Sequence, residues 1–91
     1  MLTLLWSPNA LDELNNLTDY IGEHNPAAAD RLIERIQTSA ERLTQFPYMH
    51  RTGRVSGTRE AVVHPNYVLV YRVTADAVEV LGVLHTRQRY P

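Results

Sequence analysis

The sequence contains no cysteine and no lysine, and both absences narrow what the protein can be. Without cysteine the chain forms neither a disulfide framework nor a thiolate metal site, which excludes a disulfide-stapled secreted mini-protein. All nine basic residues are therefore arginine, whose planar guanidinium makes bidentate contacts with carboxylates and phosphates that lysine does not reproduce. The arginines are consequently the main candidates for contacting an anionic partner.

Net charge is also nearly absent, at −1 over 91 residues, but it is unevenly spread. Residues 1–49 carry three arginines against seven acids, a balance of −4, whereas residues 50–91 carry six arginines against three acids, a balance of +3. Proteins that bind nucleic acid through its phosphates are typically strongly basic. The balance found here predicts a local anionic partner and no direct DNA binding by this chain alone.

Long apolar runs are missing as well. The N-terminal segment Met1–Trp6 lacks the basic region of a signal peptide and the apolar length of a membrane span. With 44% apolar and 21% charged residues, the composition is typical of a folded globular protein of one-domain size. We therefore expect a single domain over residues 1–91, in the cytoplasm and without membrane contact.

Two capping residues followed by proline mark the starts of two helices. Ser7-Pro8 and Asn25-Pro26 each place an amide-accepting side chain before a proline, which loses no needed hydrogen bond at the first helical position. Apolar residues then recur at three- and four-residue spacing, as in an amphipathic helix. Gly22 ends the first helix, and Pro47 stops the second near Phe46. The pattern predicts an antiparallel helical hairpin with one buried face.

The second half alternates strand-forming segments with turn residues. Valine and tyrosine favour a pleated strand over a helix, and they dominate Arg59–His64, Tyr67–Thr74 and Val78–Leu84. Pro65 between the first two runs has a fixed negative φ, which excludes a type I′ turn and predicts a longer or bulged connection. Gly82 inside the last run indicates a bulge or a close approach of another backbone.

A short N-terminal strand, Thr3–Trp6, completes the order β-α-α-β-β-β, with residues 48–56 as a loop. This order predicts an α+β fold in which the helical hairpin packs on a three-stranded antiparallel sheet. The expected core consists of apolar residues from all these elements: Trp6, Leu11, Leu14, Ile21, Ile33, Ile36, Leu43, Val70 and Val80.

Short motifs along nearly the whole chain carry a resemblance to a known family. They are Trp6-Ser7-Pro8, Asn25-Pro26-Ala27, Phe46-Pro47, Gly53-Arg54-Val55, Gly57-Thr58-Arg59-Glu60, Pro65-Asn66-Tyr67, Val70-Tyr71-Arg72, and His85 near the terminal Tyr90-Pro91. Their order and spacing together resemble the RelE/ParE toxins of bacterial type II toxin–antitoxin modules, and the details are most similar to the ParE branch. Tyr90 departs from that pattern, because many relatives carry tryptophan there.

The resemblance implies a toxin that is neutralised by a cognate antitoxin. In the family, an extended and helical antitoxin segment wraps around the helical hairpin and a sheet edge. Amphipathic helices and unpaired strand edges are the surfaces used by helix-in-groove binding and by strand addition. The candidate antitoxin contacts are Leu17, Ile21, Ala29, Leu32, Tyr67 and Tyr71.

The resemblance implies two target classes, because ParE-like relatives poison DNA gyrase and RelE-like relatives are ribosome-dependent mRNA interferases. A third alternative, a target other than these two, also stays open. For gyrase binding no catalytic residue is expected, and the candidate target contacts are Arg59, Arg72, His85, Arg87, Arg89 and Tyr90. RNA cleavage needs a base, an acid and cations for the phosphate, for which the candidates are His64, Arg72, His85, Arg87 and Tyr90. The lack of a basic excess and the ParE-like ending favour the gyrase alternative.

Structural roles compete with these functional ones. For Arg59 and Glu60 the alternative is an ion pair that only stiffens the sheet. For Tyr67 and Tyr71 it is packing in the core, and for His64 it is a structural position in a turn. Arg72 interrupts an apolar run and is the favoured functional residue of the hairpin. The histidines lack the spacing and the carboxylate neighbours of a metal site, so neither a metal nor a cofactor is expected.

Overall fold

The structure, a computed structural model, describes residues 2–90. Its elements in chain order are β1 (Thr3–Trp6), α1 (Pro8–Gly22), α2 (Pro26–Leu43), β2 (Arg51–Thr52), β3 (Arg59–His64), β4 (Tyr67–Val73) and β5 (Ala77–His85). The strands form one sheet in the order β1-β5-β4-β3-β2, in which β1 runs parallel to β5 and the other pairs are antiparallel. The predicted α+β class is confirmed. No helix within the described range is long and apolar enough to cross a membrane.

Both helix starts follow the capping pattern of the sequence. The side chains of Ser7 and Asn25 each accept a hydrogen bond from the backbone amide three residues further on, at 3.0 and 3.1 Å. The first helix ends at Gly22 as expected. The second ends at Leu43, earlier than expected, and the residues after it continue as a turn in which the Phe46 amide donates to a helical carbonyl at 3.1 Å.

The segment predicted to be a loop contains a two-residue strand. Arg51 and Thr52 pair with Glu60 and Arg59, so β2 extends the sheet beyond β3. The loop that connects β2 to β3 brings Gly53 close to Thr58. A Cβ added to Gly53 would lie 2.2 Å from the Thr58 side chain. Sequence periodicity missed this strand because two polar residues are too few to show alternation.

Two register shifts shape the sheet. The pairing of β3 with β4 shifts between Val62 and His64, which is the bulged connection that Pro65 predicts. Between β4 and β5 the register skips Leu81, so the irregularity expected near Gly82 is a bulge one residue before it. The close neighbour of Gly82 is the carboxylate of α1 and not another backbone, since a Cβ there would lie 3.0 Å from Glu13 Oε1.

Beyond the end of β1, side chains from the start of α1 cover the outer edge of β5. The Asn9 side-chain amide donates to the Leu81 carbonyl at 3.0 Å, and Glu13 Oε1 accepts from the Val83 amide at 3.1 Å. Asn9 also donates to Glu13 at 3.0 Å, which orients both side chains. This edge of the sheet is therefore closed along its length by β1 and α1 together.

The core lies between the helical hairpin and one face of the sheet, with Ile36, Leu69 and Tyr71 fully buried. Of the nine predicted core residues, the buried ones are Leu14, Ile36, Leu43, Val70 and Val80, and the half-buried ones are Trp6, Ile21 and Ile33. The prediction for Leu11 is wrong, because its side chain is 44% exposed. The small Ala10 takes the inward position instead, four residues before Leu14 on the same helical stripe.

Candidate functional site

The face of the sheet opposite the helices, here called the outer face, is covered by the C-terminal residues 86–90 and by the loop after β2. Val68 and Val70 point to this face, yet both are buried. Between them and the covering segments lies a largely apolar cleft of about 230 Å³, lined among others by Val55, Leu84 and Tyr90. The outer face therefore has its own small packed layer, and the charged candidates lie around it.

Glu60 is the centre of this layer, with only 3% of its surface exposed. Its carboxylate accepts from the Arg51 guanidinium at 3.0 Å, from the Arg54 amide at 3.0 Å, from Arg54 Nε at 3.3 Å and from the Tyr90 hydroxyl. Burial alone would raise the pKa of Glu60, but the hydrogen bonds from Tyr90 and Arg54 lower it to about 2. The side chain is therefore an anion at all physiological pH values.

Tyr90 is tied to this carboxylate from the C-terminal tail. The Arg54 guanidinium lies 4.3 Å above its ring, and its hydroxyl donates to Glu60. Burial, and then the hydrogen bond to the anionic Glu60, raise the pKa of Tyr90 to about 12. The predicted target contact at Tyr90 is thus committed to an internal bond that holds the tail on the sheet.

Arg59 does not pair with Glu60, so the interpretation of these two residues as an ion pair is wrong. Successive side chains of a strand point to opposite faces, which separates the two groups. Arg59 instead donates to the His50 carbonyl at 2.7 Å and lies 5.0 Å from the centre of the Tyr48 ring. The pKa of His50, whose carbonyl accepts this bond, is lowered by burial and then by the charge of Arg42.

Arg72 lies directly opposite Glu79 in the pairing of β4 with β5. Its Nε and Nη2 both lie 2.7 Å from Glu79 Oε1. Because the Arg72 side chain is 54% exposed, this pair contributes at most about 1 kcal/mol to stability. Arg72 remains accessible, but its guanidinium is oriented by a neighbour on the sheet.

His64 and His85 both pack against Tyr67. Their ring centres lie 5.4 and 5.6 Å from the centre of the tyrosine ring. Nδ1 of each histidine accepts from a backbone amide two residues further on, at 3.0 and 3.1 Å. His64 thus stabilises the turn after β3, as its alternative interpretation holds. Arg72 lies five residues along β4 from Tyr67, roughly 16 Å at the rise of a strand.

The candidate antitoxin contacts differ in accessibility. Leu17, Leu32 and Tyr67 are half-buried and pack against the core, and Ile21 is half-buried outside it. Ala29 is buried, and Tyr71 has no exposed surface and donates to the Pro47 carbonyl at 2.7 Å. Tyr71 is therefore a core residue, as its alternative interpretation holds.

Sequence reasoning singled out Arg59 and Glu60 together but did not find the partners of Glu60, which are Arg51, Arg54 and Tyr90. Gly53 was the available signal, because glycine is common in tight turns. The register of β2 on β3 was still needed to bring both arginines onto one carboxylate. Within residues 2–90, no group of three histidine, aspartate or glutamate side chains is placed to hold a metal ion.

Comparison with known proteins extends these observations. The sequence model described as "ParE toxin of type II toxin-antitoxin system, parDE" matches residues 4–90. Toxin Y4kP of Sinorhizobium fredii is 38% identical over 87 residues, covering 94% of this chain and 90% of the relative. Toxin RelE2 of Caulobacter vibrioides is 35% identical over 85 residues, covering 93% of this chain and 96% of the relative.

Solved structures share the fold at lower identity. The chromosomal ParDE TA system from P. aeruginosa contains a chain with a TM-score of 0.82 and 19% identity, which covers 93% of this chain and 96% of that one. The YoeB dimer from Staphylococcus aureus has a TM-score of 0.66 and 12% identity, with 98% of each chain covered. Given the family match across residues 4–90 and relatives above one-third identity over nearly their whole length, this chain belongs to the ParE toxin family of type II toxin–antitoxin systems.

Proposed function

We propose that this chain is the toxin of a type II toxin–antitoxin pair that acts in the cytoplasm, inhibits DNA gyrase by binding it, and is neutralised by a cognate antitoxin. The family match over residues 4–90 supports the toxin assignment. The proposal of binding without catalysis is carried by one observation, the separation of Arg72 from the two histidines that a nuclease would need to bring near it.

RNA cleavage requires a base, an acid and a cation around one phosphate, held within hydrogen-bond reach of the reacting atoms. The two histidines lie beside Tyr67, whereas Arg72 is roughly 16 Å further along β4 and pairs with Glu79. The Tyr90 hydroxyl donates a hydrogen bond to Glu60 and has a pKa of about 12, so it keeps its proton at neutral pH and is not available as a base. This arrangement favours a binding surface over an active site.

The target surface in this proposal is formed by the C-terminal tail and the exposed ends of the sheet. Arg87 and Arg89 are exposed on the tail, which the bond between Tyr90 and Glu60 holds in place. Arg72 is exposed on the outer face of β4, and His85 lies beside Tyr67 at the other end of the paired strands. A guanidinium on an ordered segment loses less conformational entropy when it pairs with a carboxylate of the target.

The antitoxin surface in this proposal includes the helical hairpin. Leu17, Ile21 and Leu32 expose part of their side chains there, and Tyr20 is 68% exposed nearby. An amphipathic antitoxin helix would bury these apolar groups by helix-in-groove binding.

The test is a supercoiling assay with purified toxin and purified gyrase. We expect inhibition of supercoiling together with accumulation of cleaved DNA, and addition of the antitoxin should reverse both. Gyrase that supercoils normally in the presence of a large excess of toxin would contradict the proposed target.

The second candidate function is ribosome-dependent mRNA cleavage, which is favoured by the gathering of His64 and His85 around Tyr67 and by the relatives named RelE2 and RelE3. Its test is primer extension on mRNA from a translating extract to which toxin is added. New 5′ ends within ribosome-bound codons would support it and replace the gyrase proposal.

A further inference from the structure

A pocket lies at the end of the sheet where β3 begins and β4 ends. It encloses about 380 Å³ and is here called the Arg59 pocket, with a lining that includes Tyr48, Val55, Thr58, Arg59 and Val73. Within residues 2–90, the lining contains no aspartate or glutamate, and Arg59 is its one charged side chain. The target surface proposed above, which is centred on the tail, does not include this pocket.

Arg59 carries a positive charge that no carboxylate neutralises. The side chain is half-buried, and within the described range it forms no ion pair. Its Nη1 donates to the His50 carbonyl at 2.7 Å, and its guanidinium carbon lies 5.0 Å from the centre of the Tyr48 ring. These contacts fix the orientation of the guanidinium, which has further N–H donors to offer a ligand. Since burial of a charge is costly without a counter-charge, Arg59 favours an anionic ligand.

Apolar side chains lie at the Arg59 pocket and next to it in the chain. Tyr48 and Val55 line the pocket and are exposed, and Phe46 and Met49, the chain neighbours of Tyr48, are each more than half exposed. Aromatic residues, methionine and arginine are the residue types enriched in protein–protein interfaces, where they often form the energetic centre. The composition of this surface therefore favours a protein as its ligand.

We propose that the Arg59 pocket binds an aspartate or glutamate side chain of gyrase, whose carboxylate pairs with Arg59 while neighbouring apolar residues of gyrase pack on Tyr48 and Val55. The inference rests on the proposed function, because that supplies the target protein. It goes beyond it by assigning a second contact surface, separate from the tail arginines, and the chemistry of the group that this surface receives.

The Arg59 pocket adjoins the proposed target surface. Val55 and Thr58 line both this pocket and the apolar cleft that Tyr90 of the tail lines on the outer face. Arg72, which is exposed on the outer face, is the chain neighbour of Val73 in the pocket lining. One large partner can therefore contact the tail and the Arg59 pocket at the same time.

Three other occupants fit this pocket less well. The proposed antitoxin surface includes Leu32, which lies about 16 Å along the axis of α2 from Leu43, and the segment with Tyr48 begins beyond that end of the helix. In a two-fold dimer each copy presents the same patch, so a second copy would place Arg59 against Arg59 with no carboxylate in the lining. Nucleic-acid phosphate favours a strongly basic chain, whereas the net charge here is −1.

The first experiment tests the pocket without gyrase. Isotope-labelled full-length toxin is titrated to millimolar concentration with a capped tripeptide that has glutamate between two leucines. We expect shifts of the amide resonances of Tyr48 and of residues 55–59. The same peptide with glutamine should bind about tenfold more weakly, since a hydrogen bond between charged groups is lost. The dissociation constant of the glutamate peptide should rise with salt, because an accessible charge pair is screened.

A charge placed at the mouth of the pocket provides the matched variants. Ser56 is an exposed residue of the lining, so Ser56→Glu should fold normally and offer Arg59 an internal carboxylate that competes with the peptide. We expect this variant to bind the glutamate peptide about tenfold more weakly. Ser56→Gln, which has the same size without the charge, should bind it as the wild-type protein does.

Direct removal of the cation supplies a second comparison. Arg59→Gln should also weaken peptide binding about tenfold, whereas Arg31→Gln, an equal change of charge at an exposed position of α2, should have no effect. Amide spectra that are unchanged away from the substitutions establish that the variants fold. If Arg59→Gln loses stability with its bond to the His50 carbonyl, the two Ser56 variants still test the pocket.

The second experiment repeats the supercoiling assay with the Ser56 variants. Ser56→Glu should inhibit gyrase about tenfold less strongly than the wild-type toxin, and Ser56→Gln equally strongly. A wild-type toxin that leaves gyrase unaffected would contradict the proposed function, and the peptide titration then decides separately whether the pocket accepts a carboxylate. A wild-type toxin that inhibits gyrase no better than Ser56→Glu would contradict only the Arg59 pocket as a contact.

Three outcomes of the titration would overturn the inference. They are equal binding of the glutamate and glutamine peptides, absence of amide shifts in residues 55–59, and tighter binding of a single-stranded oligonucleotide than of the glutamate peptide at the same residues. The last outcome would identify the Arg59 pocket as a nucleic-acid contact.

Discussion

The side chain on which the outer face depends is Glu60, a carboxylate that is almost fully buried and yet ionised. Two arginines and one tyrosine converge on it from β2, from the following loop and from the tail. A buried ion of this kind is tolerated because every oxygen is hydrogen-bonded, and removal of its charge leaves the surrounding donors without an adequate acceptor. Glu60 is therefore a structural anchor that joins β2, the following loop and Tyr90 of the tail.

Replacing Glu60→Gln should lower the free energy of unfolding by about 2–4 kcal/mol, since bonds to a charged group are lost and guanidinium groups stay unneutralised. The measurement is urea unfolding followed by circular dichroism. Glu79→Gln is the matched control, because the exposed pair with Arg72 should cost below about 1 kcal/mol. Equal effects of the two substitutions would contradict the role assigned to Glu60.

The stability of the protein should also depend on pH through Glu60. Its pKa is lowered from 4.5 to about 2 on folding, so its contribution is fully present above the unfolded value and is lost as the pH falls from there toward 2. The unfolding midpoint of the wild-type protein should therefore drop over this window more steeply than that of the Glu60→Gln variant. Parallel curves for the two proteins would show that Glu60 does not carry this dependence.

Among the elements of secondary structure, the start of α1 is bonded both within the helix and to β5. Ser7 caps α1 by accepting a hydrogen bond from the Ala10 amide. Its hydroxyl also donates to the Leu81 carbonyl at 3.3 Å, at the position of the β5 bulge. Asn25 caps α2 in an exposed position and, within residues 2–90, its side chain forms no hydrogen bond to the sheet. The two caps look equivalent in sequence, but only the first joins a helix to a strand edge.

Replacing Ser7→Ala should therefore destabilise the protein more than Asn25→Ala. We expect losses of about 1.5–2.5 and 0.5–1 kcal/mol respectively, because the first substitution removes a cap and a contact to the sheet and the second removes a cap alone. Chemical denaturation of both variants in one series measures the difference. Indistinguishable midpoints would show that the contact between Ser7 and β5 contributes nothing to stability.

At the scale of the whole molecule, the separation of charge seen along the sequence is redistributed by folding. Of the six arginines in residues 50–91, Arg51 and Arg54 form ion pairs with Glu60, and Arg72 forms one with Glu79. The arginines of α2, in the acidic half, take part in no ion pair within residues 2–90. The molecule thus exposes arginines without ion pairs at two separate places within residues 2–90, on the tail and on α2.

Replacing Arg87→Gln together with Arg89→Gln should weaken gyrase inhibition about tenfold and reduce its dependence on salt, because two exposed charges of the proposed target surface are lost. His64→Asn should leave inhibition unchanged, since the proposed mechanism uses no acid–base group. Supercoiling assays measure gyrase inhibition by both variants, and growth inhibition is measured in parallel. Abolition of toxicity by His64→Asn alone would favour the nuclease alternative.

The helix starts, the three long strands, the bulged turn and most of the core could be predicted from local sequence patterns. Caps, prolines and apolar periodicity act over a few residues and need no distant partner, so Ser7, Asn25 and Pro65 could be interpreted correctly in isolation. Four features became visible only in the folded chain: the partners of Glu60, the pairing of β2, the bulge at Leu81, and the burial of Ala10 in place of Leu11. These depend on register and on the approach of segments far apart in the chain, which local propensity does not encode.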